Sequence, residues 1–237
     1  MNKFLAALLI LVIILIAAFE IILPRTVASI LKEQVTKSTH AQEVEISLDS
    51  SPNAKMALGI VDTVHATASA GDIGDVEFQS LTLDGENINV DVKELLFPGD
   101  KLTAQQRTEK ILKSAGRVEL KGIITQDGLK NFIEKKVDQL DNAEIKITPQ
   151  EVTAKGQIKF MGKTADVDIA GSFFLDENDV YFRATRLDVR NTLLRHVQID
   201  RYLGDIKILQ SETLPLNLKF SAVQMRDGDV LITAVRN

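Results

Sequence analysis

Residues 151–174, EVTAKGQIKFMGKTADVDIAGSFF, decide the fold. In the first half Val152, Ala154, Ile158 and Phe160 occupy every second position, with Gly156 in phase. In the second half Ala165, Val167, Ile169 and Phe173 keep the same period. Successive side chains of extended backbone point to opposite sides, so a period of two marks a strand with one apolar and one wet face. Met161-Gly162 separates the halves as a turn, and the two strands read as an antiparallel hairpin.

The period recurs outward from this hairpin. Val44, Ile46 and Leu48 alternate in EVEISLD, and Ile88, Val90 and Val92 in NINVDV. Leu214, Leu216, Leu218, Phe220 and Ala222 alternate in LPLNLKFSA, and Val230, Ile232 and Ala234 in DVLITAV. Turn pairs punctuate the strands: Asp84-Gly85, Gly99-Asp100, Asp141-Asn142, Glu177-Asn178 and Asp227-Gly228. Asp84-Gly85 and Asp227-Gly228 carry the strongest hairpin signals. The phase slips at Ser80 and near Arg186, which predicts bulges or strong bends.

Helical periodicity is scarcer. TQDGLKNFIEKKVDQL places Leu129, Phe132, Ile133, Val137 and Leu140 on one stripe, with Thr125 or Asp127 as the cap. After Pro24, the residues Val27, Ile30, Leu31 and Val35 form another. Weaker patterns cover Thr103–Lys113 and Leu193–Tyr202. One-sided strands thus outnumber the helices that could cover them. A sheet must bury its greasy face, which leaves a closed barrel, a sandwich, or a bent sheet around a helix. The fold class expected is α+β: a strongly curved antiparallel meander sheet wrapped around amphipathic helices.

The chain opens with MNKFLAALLILVIILIAAFEIILPR. Residues 4–23 are apolar except for Glu20, and about twenty helical residues span roughly 30 Å, one hydrocarbon thickness. Ala17-Ala18 is a poor exit site, since more apolar residues follow it, so an uncleaved transmembrane anchor is favoured over a cleaved signal or a buried helix. This gives two parts, an anchor over 1–23 and a domain over 24–237. The short basic start before the run favours export of the domain, whereas Arg25, Lys32 and Lys37 after it count the other way.

Composition excludes several classes. The net charge is −5, with no Trp and two Tyr, so both the basic footprint and the stacking groups of a nucleic-acid binder are missing. The chain has no cysteine, which excludes disulfides, thiolate metal sites and cysteine nucleophiles. His40, His65 and His196 are far apart without metal spacing, and no nucleophile elbow, P-loop or dinucleotide fingerprint occurs. Gly71–Asp75 and Asp176–Asp179 read as turns rather than cation sites. No catalytic residue, metal or cofactor is implied. Arg183, Arg186, Arg190, Arg195 and Arg201 form a local basic patch, a candidate for anionic headgroups or a solvated face.

The order of features resembles the LmeA-like phospholipid-binding family. The matching features are the apolar leader, Leu23-Pro24-Arg25 opening an amphipathic helix, the strand Val44–Leu48, and Gly59-Ile60-Val61-Asp62-Thr63-Val64 leading into a long alternating strand. The Ile123–Leu140 strand-to-helix junction and the strand centred on Gly171 correspond in order. Ser51–Met56 departs from the Pro-Phe-rich segment usual in the family. The resemblance implies an extracytoplasmic, membrane-associated lipid binder whose curved sheet embraces a helix, as in tubular lipid-binding proteins.

The function expected is phospholipid binding in an apolar groove between sheet and helix. The lining expected is Val44, Ile46, Leu48, Ile88, Val90, Val92, Phe132, Ile133, Val137, Ile158, Phe160, Val167, Ile169, Phe173, Leu216, Leu218 and Phe220. Burying about 14 methylenes of an acyl chain would stabilise the complex by roughly 11 kcal/mol before ordering costs. The setting expected is the bacterial cytoplasmic membrane, with a single pass through residues 4–23 and the domain outside. The partners expected are membrane lipid and an unidentified envelope protein. The alternative is an anchored interaction domain with a filled core.

Overall fold

The computed structural model describes residues 22, 24–29, 31–33, 35–36, 40–96, 110–136, 140–160, 163–190 and 205–236. Helical backbone occupies 24–29, 31–33 and 35–36, with Val27, Leu31 and Val35 half-buried and Arg25, Lys32 and Glu33 exposed. The stripe read after Pro24 is present at Val27, Leu31 and Val35, while Ile30 lies outside the described residues. The span expected over residues 4–23 falls almost wholly outside the described residues, and no described helix is long and apolar enough to cross a membrane.

Strands dominate. They are β1 (Glu43–Asp49), β2 (Ile60–Ile73), β3 (Val76–Val90), β4 (Leu112–Ser114), β5 (Val118–Thr125) and β6 (Leu140–Ile147). They continue as β7 (Val152–Phe160), β8 (Lys163–Asp176), β9 (Asp179–Arg190), β10 (Asp205–Leu209), β11 (Lys219–Arg226) and β12 (Asp229–Arg236). Helix α1 is Val92–Leu96 and α2 is Gln126–Lys136. The strands form two sheets rather than the single meander expected. One has the order β1-β2-β3-β5-β12-β11, with β4 on β3, and the other is the meander β10-β9-β8-β7-β6. Neither sheet closes into a barrel among the described residues.

Two compact units divide the chain. The first is Met1–Ala68, Thr82–Glu119 and Arg236–Asn237; the second is Ser69–Leu81 and Leu120–Val235. In the first, Val44, Leu48, Met56, Val61, Ile88 and Val118 are buried. In the second, Phe78, Ile124, Leu129, Phe132, Leu218 and Val230 are.

Helix α2 begins where Thr125 Oγ1 accepts the Gly128 N–H at 3.2 Å, the cap expected of it. Its face is fixed by Leu129 and Phe132, and its polar side ties to the β2–β3 tip. Lys136 Nζ lies 2.5 Å from Asp75, and Asn131 donates to Glu77 at 3.0 Å. Of Gly71–Asp75, read as a turn, only Gly74-Asp75 turns, with Gly74 at φ 61°, while Gly71–Ile73 belong to β2. Leu140, read as helical, opens β6 instead.

Further readings are corrected. Asp84-Gly85 is not a hairpin but mid-strand in β3. Gly85 is buried there, and a Cβ on it would lie 2.7 Å from Val64 Cγ1, so glycine serves close packing rather than a turn. Asp141-Asn142 is a bulge rather than a turn, where the β6–β7 register slips with Asn142 at φ 55°. Leu214–Leu218 is not strand: short 3-10 turns cover Ser211–Thr213 and Pro215–Asn217, with Leu216 at φ 61°. β11 starts only at Lys219, and a slip between Phe220 and Ala222 leaves Ala222 exposed. Val92 likewise opens α1 rather than ending a strand.

The Glu177-Asn178 and Asp227-Gly228 hairpins form as read, and the slip near Arg186 is a bulge that leaves Thr185 unpaired between Ala184 and Arg186. In β3 the buried positions run Val76, Phe78, Leu81, so the phase breaks at Ser80. Gly99-Asp100, Met161-Gly162 and Leu193–Tyr202 lie outside the described residues, as does most of Thr103–Lys113, whose end is helical at 110–111 and strand at Leu112–Ser114.

Candidate lipid-contact site

In the rows around Ile169 the five-stranded meander sorts its side chains by face. Register places Ile145, Ala154, Ile169 and Leu187 side by side across β6, β7, β8 and β9. The neighbouring rows on that face are Gly156–Val167–Val189, Ile147–Val152–Gly171–Ala184 and Phe173–Phe182–Ile206. Every member is apolar or glycine. The reason is the period of two, reset on β9 by the bulge at Thr185, which returns Leu187 and Val189 to the face of Phe182 and Ala184.

This face is incompletely covered. Ala165, Val167 and Val189 are buried as a cluster, while Ile169 and Leu187 pack beside it only half-buried. Ile145 and Ala154 are half-buried too, and Ile206 is 50% exposed. Phe173 and Phe182 meet edge to face, with ring centres 5.4 Å apart. Gly171 makes that possible: a Cβ there would lie 2.5 Å from the Phe182 ring and 2.2 Å from the Arg183 carbonyl oxygen. A half-open apolar row bordered by close-packed rows is what an added hydrocarbon chain could complete.

The opposite face is polar and largely self-neutralised. Arg183 donates Nε and Nη2 to the two carboxylate oxygens of Asp205 at 2.7 and 2.8 Å, and its guanidinium stands 4.3 Å from the Phe174 ring centre. Phe174 stacks on Tyr181, and Lys207 lies 5.4 Å from the Tyr181 ring centre and 2.8 Å from Asp179. The hydrogen bond to Asp205 holds the Arg183 pKa above its ordinary value, and that from Arg183 holds Asp205 below its own. Burial alone would raise Asp179, but hydrogen bonds from Lys207 and the Ser211 N–H outweigh it and leave the group lowered. A cleft of about 290 Å³ on this face is lined by Asn142, Glu144, Lys155, Gln157, Asp166 and Asp168 among others. Asp168 Oδ1 is buried there without a hydrogen-bond partner among the described residues.

In the first unit, a second polar cleft of about 380 Å³ holds Thr63, His65, Asp84, Glu86, Arg117 and Glu119 among its lining. His65 Nδ1 is 2.7 Å from Asp84 Oδ1, both more than half exposed. No group of three or more metal-type side chains gathers among the described residues.

The lining expected from sequence is divided between the units. Val44, Leu48 and Ile88 are buried in the first, with Ile46, Val90 and Val92 half-buried. Phe132, Val167, Phe173, Leu218 and Phe220 are buried in the second, with Ile133, Ile169 and Leu216 half-buried. The structure places Val167, Ile169 and Phe173 on the single apolar face of β8, and the backbone register pairs Ile158 with Ala165 and Phe160 with Lys163. Val137 and the side chains of Ile158 and Phe160 lie outside the described residues. Of the arginines, Arg183 is engaged by Asp205 and Arg186 is exposed opposite Ala170. The Arg190 side chain, Arg195 and Arg201 lie outside the described residues, as does His196. Ile145, Phe182, Ala184, Leu187, Val189 and Ile206 complete the face but were not singled out from sequence. Val180, Phe182 and Ala184 alternate, and the one-residue slip near Arg186 was the signal that Leu187 and Val189 rejoin them.

The family described as LmeA-like phospholipid-binding matches residues 17–235. No curated protein and no solved structure matches this chain.

Proposed function

Because the chain belongs to the LmeA-like phospholipid-binding family, we propose that it binds phospholipid by laying acyl chains on the apolar face of the β6–β10 meander. The observation that carries this reading is the half-open row Ile145–Ala154–Ile169–Leu187. Neighbouring strands lie about 4.8 Å apart, so the four strands of this row offer roughly 14 Å of apolar width, enough to cover much of an acyl chain. Each methylene taken from water contributes about 0.8 kcal/mol, so hydrocarbon burial alone can hold a lipid, and the reading requires no bond-making chemistry.

In this reading, residues 4–23 anchor the chain in the bacterial cytoplasmic membrane and the domain lies outside it. The apolar run of that segment supports the anchor. The polar face of the meander, where Asp205 holds Arg183 and Asp179 holds Lys207, is left to water.

Native mass spectrometry of the full-length chain, released from mild detergent, tests the reading. Phospholipid should be retained by the natural chain and lost from Ile169→Asp and Leu187→Lys, both folded by circular dichroism. A natural chain that carries no lipid, and takes up none when it is supplied, contradicts the reading and favours an interaction domain with a filled core.

A further inference from the structure

We propose that the Ser50–Ile60 loop is a membrane-contact tip that seats in the interfacial layer of a phospholipid bilayer. This rests on the lipid-binding reading for its purpose, since a lipid binder must meet the surface that supplies its ligand. The evidence for the tip is separate and lies in the first unit. Of its six exposed residues, five are apolar (Pro52, Ala54, Ala57, Leu58 and Ile60) and one, Ser51, is polar. Leu58 is 73% exposed, more than any other large hydrophobic side chain among the described residues. A lone exposed leucine is ordinary, but five apolar residues facing out of one short loop are not.

The loop is held so that Leu58 stays out. Met56 is buried beneath it as the inward anchor. The Ser50 N–H donates to Asn53 Oδ1 at 3.0 Å, and Ser50 Oγ donates to the Ile60 carbonyl at 3.2 Å and accepts the Asp62 N–H at 3.1 Å. Asp62 Oδ2 accepts the Ser51 N–H at 2.8 Å and the Lys55 ammonium at 3.1 Å. At the exit, Gly59 turns the chain at φ +82°, donates to the Met56 carbonyl at 2.9 Å and accepts the Val90 N–H at 2.8 Å. A Cβ at Gly59 would fall 2.0 Å from the Val90 carbonyl oxygen. Folding Leu58 inward would break this clamp.

The chemistry of the surface selects a bilayer over a protein. Within Ser50–Ile60 the only charged side chain is Lys55, and Asp62 neutralises it at 3.1 Å, so the tip beyond that ion pair is apolar and uncharged. A protein interface asks for a rim of hydrogen-bonding groups, whereas the interfacial layer of a bilayer accepts an uncharged apolar tip whose one ion pair stays at its base.

The chain has no cysteine, so Leu58→Cys carries an environment-sensitive dye at one place only, with Gln157→Cys on the polar face of the meander as control. The full chain is placed in phosphatidylcholine vesicles with a minority of phosphatidylglycerol. The expected result is blue-shifted emission at position 58, quenched by lipids spin-labelled near the headgroup, and water-like emission at 157. Water-like emission at 58 overturns the proposal, as does a blue shift that appears only when another protein is added. As a second readout, Leu58→Asp should slow transfer of a fluorescent phospholipid from vesicles about tenfold, while lipid loaded from detergent is retained. Unchanged transfer overturns the tip. Failure of the natural chain to bind lipid from detergent would instead overturn the lipid-binding reading, while the dye at 58 still decides the tip.

Discussion

Arg183 and Asp205 meet side-on, both guanidinium donors on both carboxylate oxygens at 2.7 and 2.8 Å, and this pair ties β10 to β9. The rest of that seam is short: Ile206 on Phe182, Lys207 on Tyr181 and Leu209 on Val180. The arginine read from sequence as a headgroup ligand therefore spends its fork on an edge strand. Arg183→Lys keeps the charge and loses the fork. Amide exchange across Asp205–Leu209 should quicken a few-fold while the thermal midpoint hardly moves, because exposed ion pairs contribute little to global stability. Selectivity for phosphatidylglycerol over phosphatidylcholine should be unchanged; its loss would return Arg183 to the headgroup role.

Acid should open the loop clamp. The Ser51 N–H first, then the Lys55 ammonium, hold the Asp62 carboxyl below its ordinary value of 3.8. A carboxyl lowered in the folded state contributes stability that is fully present above the unfolded value and is lost as pH falls through the folded one. Asp75, Asp91 and Asp205 are lowered as well, by Lys136, Lys113 and Arg183. Stability measured by urea unfolding should therefore stay level from neutral pH down to about 4 and decline below it. In Asp62→Asn the Ser51 amide should already exchange quickly at neutral pH.

Gly171→Val tests how tightly the apolar face is made. The new side chain would meet the Arg183 carbonyl oxygen and the Phe182 ring, and backbone cannot swing aside as a side-chain tip can. Overpacking of this kind costs about 1–3 kcal/mol. Urea unfolding should show that loss, and the Phe173–Phe182 edge-to-face contact should vanish from aromatic proton spectra.

Ile169→Asp separates ligand contact from core. Because Ile169 is half-buried beside the Ala165–Val167–Val189 cluster, the variant should lose bound lipid while remaining folded. Phe78→Ala, at a position 1% exposed, should instead cost about 3–5 kcal/mol of stability. Equal destabilisation by both would make Ile169 a core residue and remove it from the site.

Alternation was legible where each strand presents one face along its whole length, as in β1, β7, β8 and β12. It misled where a local pattern was overruled by a neighbour invisible in sequence. Asp84-Gly85 has the composition of a turn, yet Val64 packs so close to Gly85 that the strand must run through it. Leu214, Leu216 and Leu218 alternate, but the positive φ of Leu216 and Asn217 breaks the extension, and Leu214 and Leu218 are buried from turns instead. The slip between Phe220 and Ala222 shows how one extra residue reverses which side chains face in. Of the candidate face, β7 and β8 could be read directly. Leu187 and Val189 needed the Thr185 bulge, and β10 with Ile206 needed its partner β9. The clamp under Leu58 joins Ser50, Ser51, Lys55 and Asp62 through hydrogen bonds that sequence spacing does not announce.

Photo-crosslinking with a phosphatidylcholine that carries a photoreactive group midway along one acyl chain tests the central claim most directly. Labelling of the full chain should fall on Ala154, Ile169 and Leu187 and skip Lys155, Asp168 and Asp188, their neighbours on the other face. Labels spread over both faces, or absent from β7, β8 and β9 in a chain that holds lipid, would contradict it.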